Sequence, residues 1–381
     1  MQVYFDSAAT TQLREEVINR MTEVLKSDFG NPSSTHSYGR SAKSLLEQSR
    51  KDIAAQLNVS AAEIIFTSGG TEADNLILNS CVHDLGVERI ITSRIEHHAV
   101  LHTVEELSAH FGVEVAYVDL LKCASIDIDH LRQLLASGNK KTLVSLMHVN
   151  NEVGNMLDLH AVGNLCKEYN ALFHSDTVQS VGHYPLDFQE IPLDFAAVAA
   201  HKFHGPKGAG FAFVRKNSGI RPLIHGGAQE RGMRAGTEAV YAIVGMAEAL
   251  NLAYEHLEEE MAHVKDLKCY LKDQLKERIP GVCFNGGCDD DSKSTYTLLN
   301  VCLPMPPEKA LMLLFQLDLK GIACSKGSAC QSGSSQGSHV LQQILSEEDL
   351  KKPSIRFSFS SFNTREEVDY LVEVLEEFIT S

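Results

Sequence analysis

The sequence predicts an α/β fold, with a large domain on a mostly parallel sheet and a small α+β C-terminal domain. Three observations point there. Short apolar, strand-like runs alternate with helical stretches over residues 63–174, the order expected of a parallel sheet covered on both faces. The residues best suited to chemistry fall just after strand-like runs, where ligands sit in such sheets. Beyond Pro280 and Gly281 the regular alternation gives way to a looser mixture of strands and helices.

Taken in order, residues 40–57 (RSAKSLLEQSRKDIAAQL) carry apolar side chains at helical spacing and form a long amphipathic helix. Residues 63–67 (EIIFT) are a short buried strand running into a Gly-rich turn, SGGTE, and 72–85 are helical. Strands are expected at 89–92, 113–118, 142–147 and 171–174, with helices at 98–110, 128–136 and 159–169 between them. Residues 194–200 are another apolar strand. From Glu238 a helical region runs to about Arg278, and Pro280–Gly281 is its stop signal. Then follow strand-like 297–302, helical 308–317, strand-like 322–325 and 355–360, and a closing helix at 364–379. The chain thus divides into a large α/β domain at 11–254 and a small domain at 255–381 that takes in residues 1–10. Residues 325–338, rich in Ser and Gly, are expected to be a loop. There is no internal repeat.

Composition narrows the classes. Hydrophobic residues make up 44% and charged residues 22% of the 381, ordinary globular usage. The net charge of −16 repels phosphate backbones and anionic lipid, so neither nucleic acid nor a membrane is expected as the main partner. The nine cysteines include no C-x-x-C pair. An odd count in a chain this long favours free thiols in a reducing compartment. The first residues, MQVYFDSAATT, have neither a basic nor an apolar leader region, and no apolar run approaches the length of a membrane span. A cytoplasmic protein is expected.

Three motifs carry chemistry. Lys202 follows directly on the apolar strand 194–200, in AAHKFHGPKG. A lysine buried there has a lowered pKa, which suits Schiff-base formation; otherwise it is a surface lysine opening a Gly/Pro turn. Asp176, in HSDTVQS, also stands at a strand end. Pyridoxal phosphate enzymes need a lysine for the cofactor and an acid for its ring nitrogen, although Asp176 could equally be a turn residue. The turn SGGTEADN, which includes Gly70 and Thr71, opens a helix after a strand. Such a turn cradles phosphate on backbone N–H groups, or is simply a capped turn.

The segments FDSAATT, SGGTEADN, TSRIEHHAV, HVNNEVG, HSDTVQS, HKFHGPKG, RGMRAGT, KGSAC and SIRFS occur in that order over nearly the whole chain. Together they resemble the cysteine desulfurases of the NifS/IscS group, class-V aminotransferases of the fold type I pyridoxal phosphate enzymes. The resemblance implies a homodimeric enzyme that uses pyridoxal 5'-phosphate. It would convert L-cysteine to L-alanine and pass sulfur, as a persulfide, to an acceptor protein such as an iron–sulfur scaffold or a thiolation enzyme. A selenocysteine lyase or another class-V enzyme is the alternative.

The same resemblance implies residue roles. Lys202 would hold the cofactor and move the Cα proton, Asp176 would pair with the ring nitrogen and Gln179 with the phenolic oxygen. His97 would stack on the ring and act in proton transfer. Its neighbour His98 would be solvated or cap the next helix. Gly70, Thr71 and His201 would bind phosphate, joined by Thr237 of the neighbouring subunit, which could also cap the helix after it. Asn151 and Arg356 would clamp the substrate carboxylate; otherwise Arg356 is a solvent-facing residue on an edge strand.

Cys330 would be the sulfur-accepting nucleophile. It alone among the cysteines lies inside the Ser/Gly stretch, where a thiol could attack substrate and then reach a partner. Cys324, at a strand end, is its rival. Cys324, Cys330 and His339 lack a fourth ligand at zinc-site spacing, and no metal is expected. Two features depart from the group's pattern. Ala199 stands where relatives usually carry a Ser that touches the phosphate. The chain also ends at Ser381, soon after its last helix, in the manner of the shorter NifS-type members.

Overall fold

The computed structural model describes residues 1–326 and 337–380. Its centre is a sheet of seven strands: β2 (Ile64–Thr67), β3 (Arg89–Thr92), β4 (Glu114–Tyr117), β5 (Thr142–Ser145), β6 (Leu172–Asp176), β7 (Phe195–Ala199) and β8 (Gly210–Val214). They lie in the order β2–β8–β7–β6–β5–β3–β4. The pairs from β7 to β4 are parallel, and only β8 runs against its neighbours. Being antiparallel to both β2 and β7, β8 leaves those two pointing the same way. The C-terminal ends of β2, β3, β5, β6 and β7 therefore meet along one edge, and the loops leaving that edge build the site.

Sequence reasoning passes over β8 (GFAFV) because it follows β7 by a tight return instead of a crossover helix. Its first residue must be Gly. A Cβ on Gly210 would stand 2.4 Å from the Val198 carbonyl oxygen and 2.7 Å from the Cα of Gly69. That close approach seats the turn after β2 against the strand beside β7.

Helices cover both faces of the sheet: α1 (Glu15–Ser27), α2 (Ser37–Gln56), α3 (Gly70–His83), α4 (His98–Phe111), α5 (Ile128–Ala136), α6 (Leu159–Glu168) and α7 (Val240–Glu255). Alternate strand residues explain the two layers. Phe66, Ile91, Val144 and Val198 pack with Ile53 of α2, Val162 of α6 and Met246 of α7. Their neighbours Ile65, Ile90, Leu143 and Ala197 pack with Ile77 of α3 and Val104 of α4. Period-2 alternation in strands apolar on both faces makes this sandwich.

The helical region after Glu238 is not continuous. The chain breaks at His256, whose φ of −103° and ψ of 12° end α7, and resumes as α8 (Leu257–Arg278). Each helix serves a different core: Met246 and Leu250 of α7 join the sheet's cluster, whereas Val264, Leu267 and Leu271 of α8 join another. That second cluster gathers β9 (Cys283–Phe284), β10 (Leu298–Cys302), α9 (Pro307–Leu319), β11 (Ile322–Ala323), β12 (Ser354–Ser358) and α11 (Arg365–Thr380). The strand order there is β12–β10–β9, antiparallel, while β1 (Val3–Tyr4) pairs in parallel with β11. Val3 and Phe5 are buried in this cluster. A short helix that sequence reasoning does not anticipate, α10 (His339–Ile344), is capped by Ser338.

Candidate active site

The loops at the C-terminal sheet edge enclose a cavity of about 190 Å³. Gly70, Thr71, His97, Asn151, Asp176, Gln179, His201, Lys202 and Arg356 all line it. Residues scattered over the sequence thus converge, most of them because the strands before them end on one sheet edge, and Arg356 from β12 of the smaller sheet.

Lys202 closes the single turn after β7, and its Nζ donates to the Ala8 carbonyl at 2.6 Å and the Ala9 carbonyl at 2.8 Å. Gln179 Nε2 donates to the same Ala8 oxygen at 2.9 Å. Asp176 ends β6, and its carboxylate accepts the Val178 N–H at 2.9 Å. Burial raises the Asp176 pKa to about 6, held back by the Val178 bond and the Lys202 charge.

Gly70 and Thr71 form the first turn of α3, so the open N–H groups and positive end of that helix face the cavity. Gly70 is required for space, since a Cβ there would meet Val178 Cγ2 at 2.6 Å. The methyl of Ala199 faces the same cradle with no hydroxyl to offer. His201 completes the wall, its Nδ1 standing 3.2 Å from Thr10 Oγ1. Burial and the neighbouring Lys202 charge lower its pKa to about 4.

His97, and not His98, caps the following helix: its Nδ1 accepts the Ala99 N–H at 3.2 Å at the start of α4. Burial, followed by the Lys202 charge, lowers the His97 pKa to about 4, so the ring facing the cavity is a neutral base. His98 turns away and packs against His102 and His339, with ring centroids 4.8 Å and 4.4 Å apart.

Arg356 is not a solvent-facing edge residue. It is 1% exposed. One guanidinium nitrogen donates to the Asn151 carbonyl at 2.6 Å and another to Asp6 Oδ1 at 2.9 Å. A buried Arg held from two sides presents a rigid fork to a carboxylate.

Thr237 lies apart, in a separate depression with Ser68, Gly208 and Glu238. It does not cap α7, whose N-cap is Ala239. Its segment is nonetheless fixed close to the cradle. Arg234 donates to both carboxylate oxygens of Glu72, the residue after Thr71, at 2.8 Å and 3.1 Å. Cys330 lies outside the described residues. The chain before it is anchored at the cavity, since the Ser325 and Arg356 backbones exchange hydrogen bonds of 3.3 Å and 2.7 Å. The chain after it is anchored by Ser338, which bonds Glu152, and by His339, whose Nε2 donates to the Glu96 carbonyl at 2.9 Å. The rival thiol, Cys324, has its pKa pushed by burial to about 12, so it is a poor thiolate at neutral pH.

Sequence reasoning misses several cavity and support residues: Asp74, Glu96, Met147, His174 and the carbonyls of Ala8 and Ala9. Asp74 alone carries a signal, standing one helical turn after Thr71 and so on the same face.

The family model for class-V aminotransferases matches residues 3–371, and the chain belongs to that family. The cysteine desulfurase IscS of Dictyoglomus turgidum is 40% identical, over 99% of this chain and 94% of that protein. A solved NifS-like protein superposes with a TM-score of 0.91 at 36% identity, covering 100% of both chains. A solved structure titled SspA in complex with cysteine gives a TM-score of 0.81 at 30% identity, over 95% of this chain and 100% of that one. Within the family, then, the chain is a member of the NifS/IscS group of cysteine desulfurases.

Proposed function

We propose that this chain is a pyridoxal 5'-phosphate-dependent cysteine desulfurase that converts L-cysteine to L-alanine and passes the sulfur through Cys330 to an acceptor protein. The observation that carries it is the convergence of Lys202, Asp176, the α3 N-terminus and Arg356 on one cavity. The residues fit the cofactor. A lysine amine, a buried acid and an anion cradle stand around a space that a Cβ on Gly70 would invade. Gly70, Thr71 and His201 would hold the phosphate, Asp176 the ring nitrogen, Gln179 the phenolic oxygen and Lys202 the aldehyde carbon. When bound, the cofactor serves as an electron sink for the substrate's Cα.

The protein's own groups do the rest. Arg356, with Asn151, binds the substrate carboxylate and orients Cα toward Lys202. Lys202 Nζ takes the Cα proton. His97, a neutral base, moves protons between substrate and leaving group. The Cys330 thiolate attacks the substrate sulfur; an S–S bond forms as the C–S bond breaks, and the electron pair stays with the carbon that becomes the alanine methyl. Ser325, five residues before Cys330, pairs with Arg356, which lines the cavity.

The division into domains 11–254 and 255–381, the latter with 1–10, belongs to the same proposal: the first supplies the cofactor residues, the second Arg356 and Cys330. So does a homodimer in which Thr237 completes the phosphate site of the partner subunit. Among the described residues no helix is long and apolar enough to cross a membrane. The test is incubation with L-cysteine. Alanine should form in step with sulfide released by a thiol reductant, and Cys330→Ala should lose both while keeping the bound cofactor. A Cys330→Ala variant with undiminished sulfide release would refute the reading and favour another class-V activity.

A further inference from the structure

Behind the Asp176 end of the cavity lies a group of buried polar side chains that the proposed reaction leaves unexplained. Asp74, on the inner face of α3, is 1% exposed, and His174 of β6 is fully buried. Asp74 Oδ1 stands 3.4 Å from His174 Nε2, and both atoms are buried without a hydrogen-bond partner. On the other side of the imidazole, His174 Nδ1 is 2.9 Å from Ser145 Oγ on β5. An oxygen of Asp74, an oxygen of Asp176 and a nitrogen of His97 all lie within 4.8 Å of one another.

Two carboxyl groups this close and this dry do not both ionise; one keeps a proton. The surroundings decide which. Asp176 has the Val178 N–H donating to it and the Lys202 charge nearby. Asp74 faces Asp176, whose charge repels one on it, and a third buried carboxyl, Glu96, whose own pKa burial raises to about 8. Burial first, and Asp176 next, push the Asp74 pKa well above the carboxylate range. Glu96 is itself occupied, accepting from Ser93 Oγ at 2.7 Å and the Met147 N–H at 2.9 Å. His174 is no cation, because burial lowers its pKa to about 3.

We propose that Asp74 is a positioning residue that stays protonated and donates its O–H to His174, leaving Asp176 as the carboxylate aimed at the cofactor's ring nitrogen. Neutral His174 then carries its proton on Nδ1 and donates to Ser145 Oγ. A line of donors runs from α3 through β6 to β5, pinning the strand end that carries Asp176. The part concerning the ring nitrogen rests on the cofactor reading; the proton on Asp74 does not.

Infrared difference spectra of wild type against Asp74→Asn test it, on apoprotein and holoenzyme at neutral pH. The difference should show a carboxylic acid carbonyl stretch belonging to wild type alone, shifted in heavy water, while the band of protonated Glu96 cancels. With cofactor added, the pH midpoint of its visible band should be unchanged in Asp74→Asn, since one neutral group replaces another. Asp74→Leu, which leaves His174 without its donor, should weaken cofactor affinity roughly tenfold or more. Absence of a carboxylic acid band from the wild-type-minus-variant difference would overturn the proposal. So would a midpoint shift of about one unit or more in Asp74→Asn, the mark of a lost charge, or an Asp74→Leu enzyme equal to wild type. Should the leucine variant not fold, the infrared band still decides. Failure of the cofactor to bind would show separately, as a missing visible band with the apoprotein spectrum intact.

Discussion

Arg356→Lys is the sharpest test of substrate binding. The wild-type guanidinium is almost fully buried and is held by the Asn151 carbonyl at 2.6 Å and Asp6 at 2.9 Å. Lysine keeps the positive charge but loses the planar fork, so it can satisfy one carboxylate oxygen and not two. A hydrogen bond to a charged group is worth about 1.5–3 kcal/mol. Losing one should lower kcat/KM for L-cysteine by roughly 10- to 150-fold. A carboxylate clamp acts alike in ground and transition states, so most of the loss should appear in KM. Initial rates of alanine formation across cysteine concentrations give both parameters, and the visible band of the cofactor confirms loading. A loaded, folded Arg356→Lys enzyme within about threefold of wild type in kcat/KM would show that Arg356 does not clamp the substrate.

Three further outcomes follow from the same geometry. Lys202→Ala should abolish alanine formation and the visible absorbance of the lysine-bound cofactor; absorbance and spectral shape after dialysis read this directly. Gly70→Ala places a Cβ 2.6 Å from Val178 Cγ2. Overpacking of this kind costs about 1–3 kcal/mol, so cofactor Kd should rise by at least several-fold, measured by fluorescence titration of the apoprotein. The apoprotein should also lose stability as pH falls from 6.5 toward 4. Burial lowers the pKa of His97, His148, His201 and His204 to about 4 and of His174 to about 3. In that window the unfolded chain binds protons that these folded imidazoles refuse, so stability rises with pH. Asp74, Glu96 and Asp176, raised by burial, pull the opposite way, but the imidazoles outnumber them. A Tm for the apoprotein higher at pH 5 than at pH 7 would contradict this.

What the sequence discloses depends on whether the signal is local. Lys202, Asp176 and Thr71 are legible because each follows a short apolar run, and strands of this kind deliver such endings to one edge, whereas His97 is marked only by the family resemblance of TSRIEHHAV. Arg356 is harder. Its alternating strand pattern fits a buried or an exposed side chain, and only the contacts to Asn151 and Asp6 decide. The strand β8 escapes because a tight return carries none of the crossover signal of a parallel sheet. The break at His256 is likewise silent, since it comes from two helices joining different cores and from no Pro or Gly. Asp74 and His174 lie on separate elements far apart in the chain; their pairing exists only once α3 lies on the sheet. Thr237 remains off the cavity within one chain, and its proposed role needs a second subunit.

In the proposed reaction Cys330 takes sulfur from L-cysteine bound between Lys202 and Arg356. Mass spectrometry of the holoenzyme after incubation with L-cysteine tests it most directly. One added sulfur atom is expected on the peptide containing Cys330, removed by a thiol reductant with release of sulfide. Sulfur found on Cys324 alone, or no adduct on either cysteine while alanine still accumulates, would contradict it.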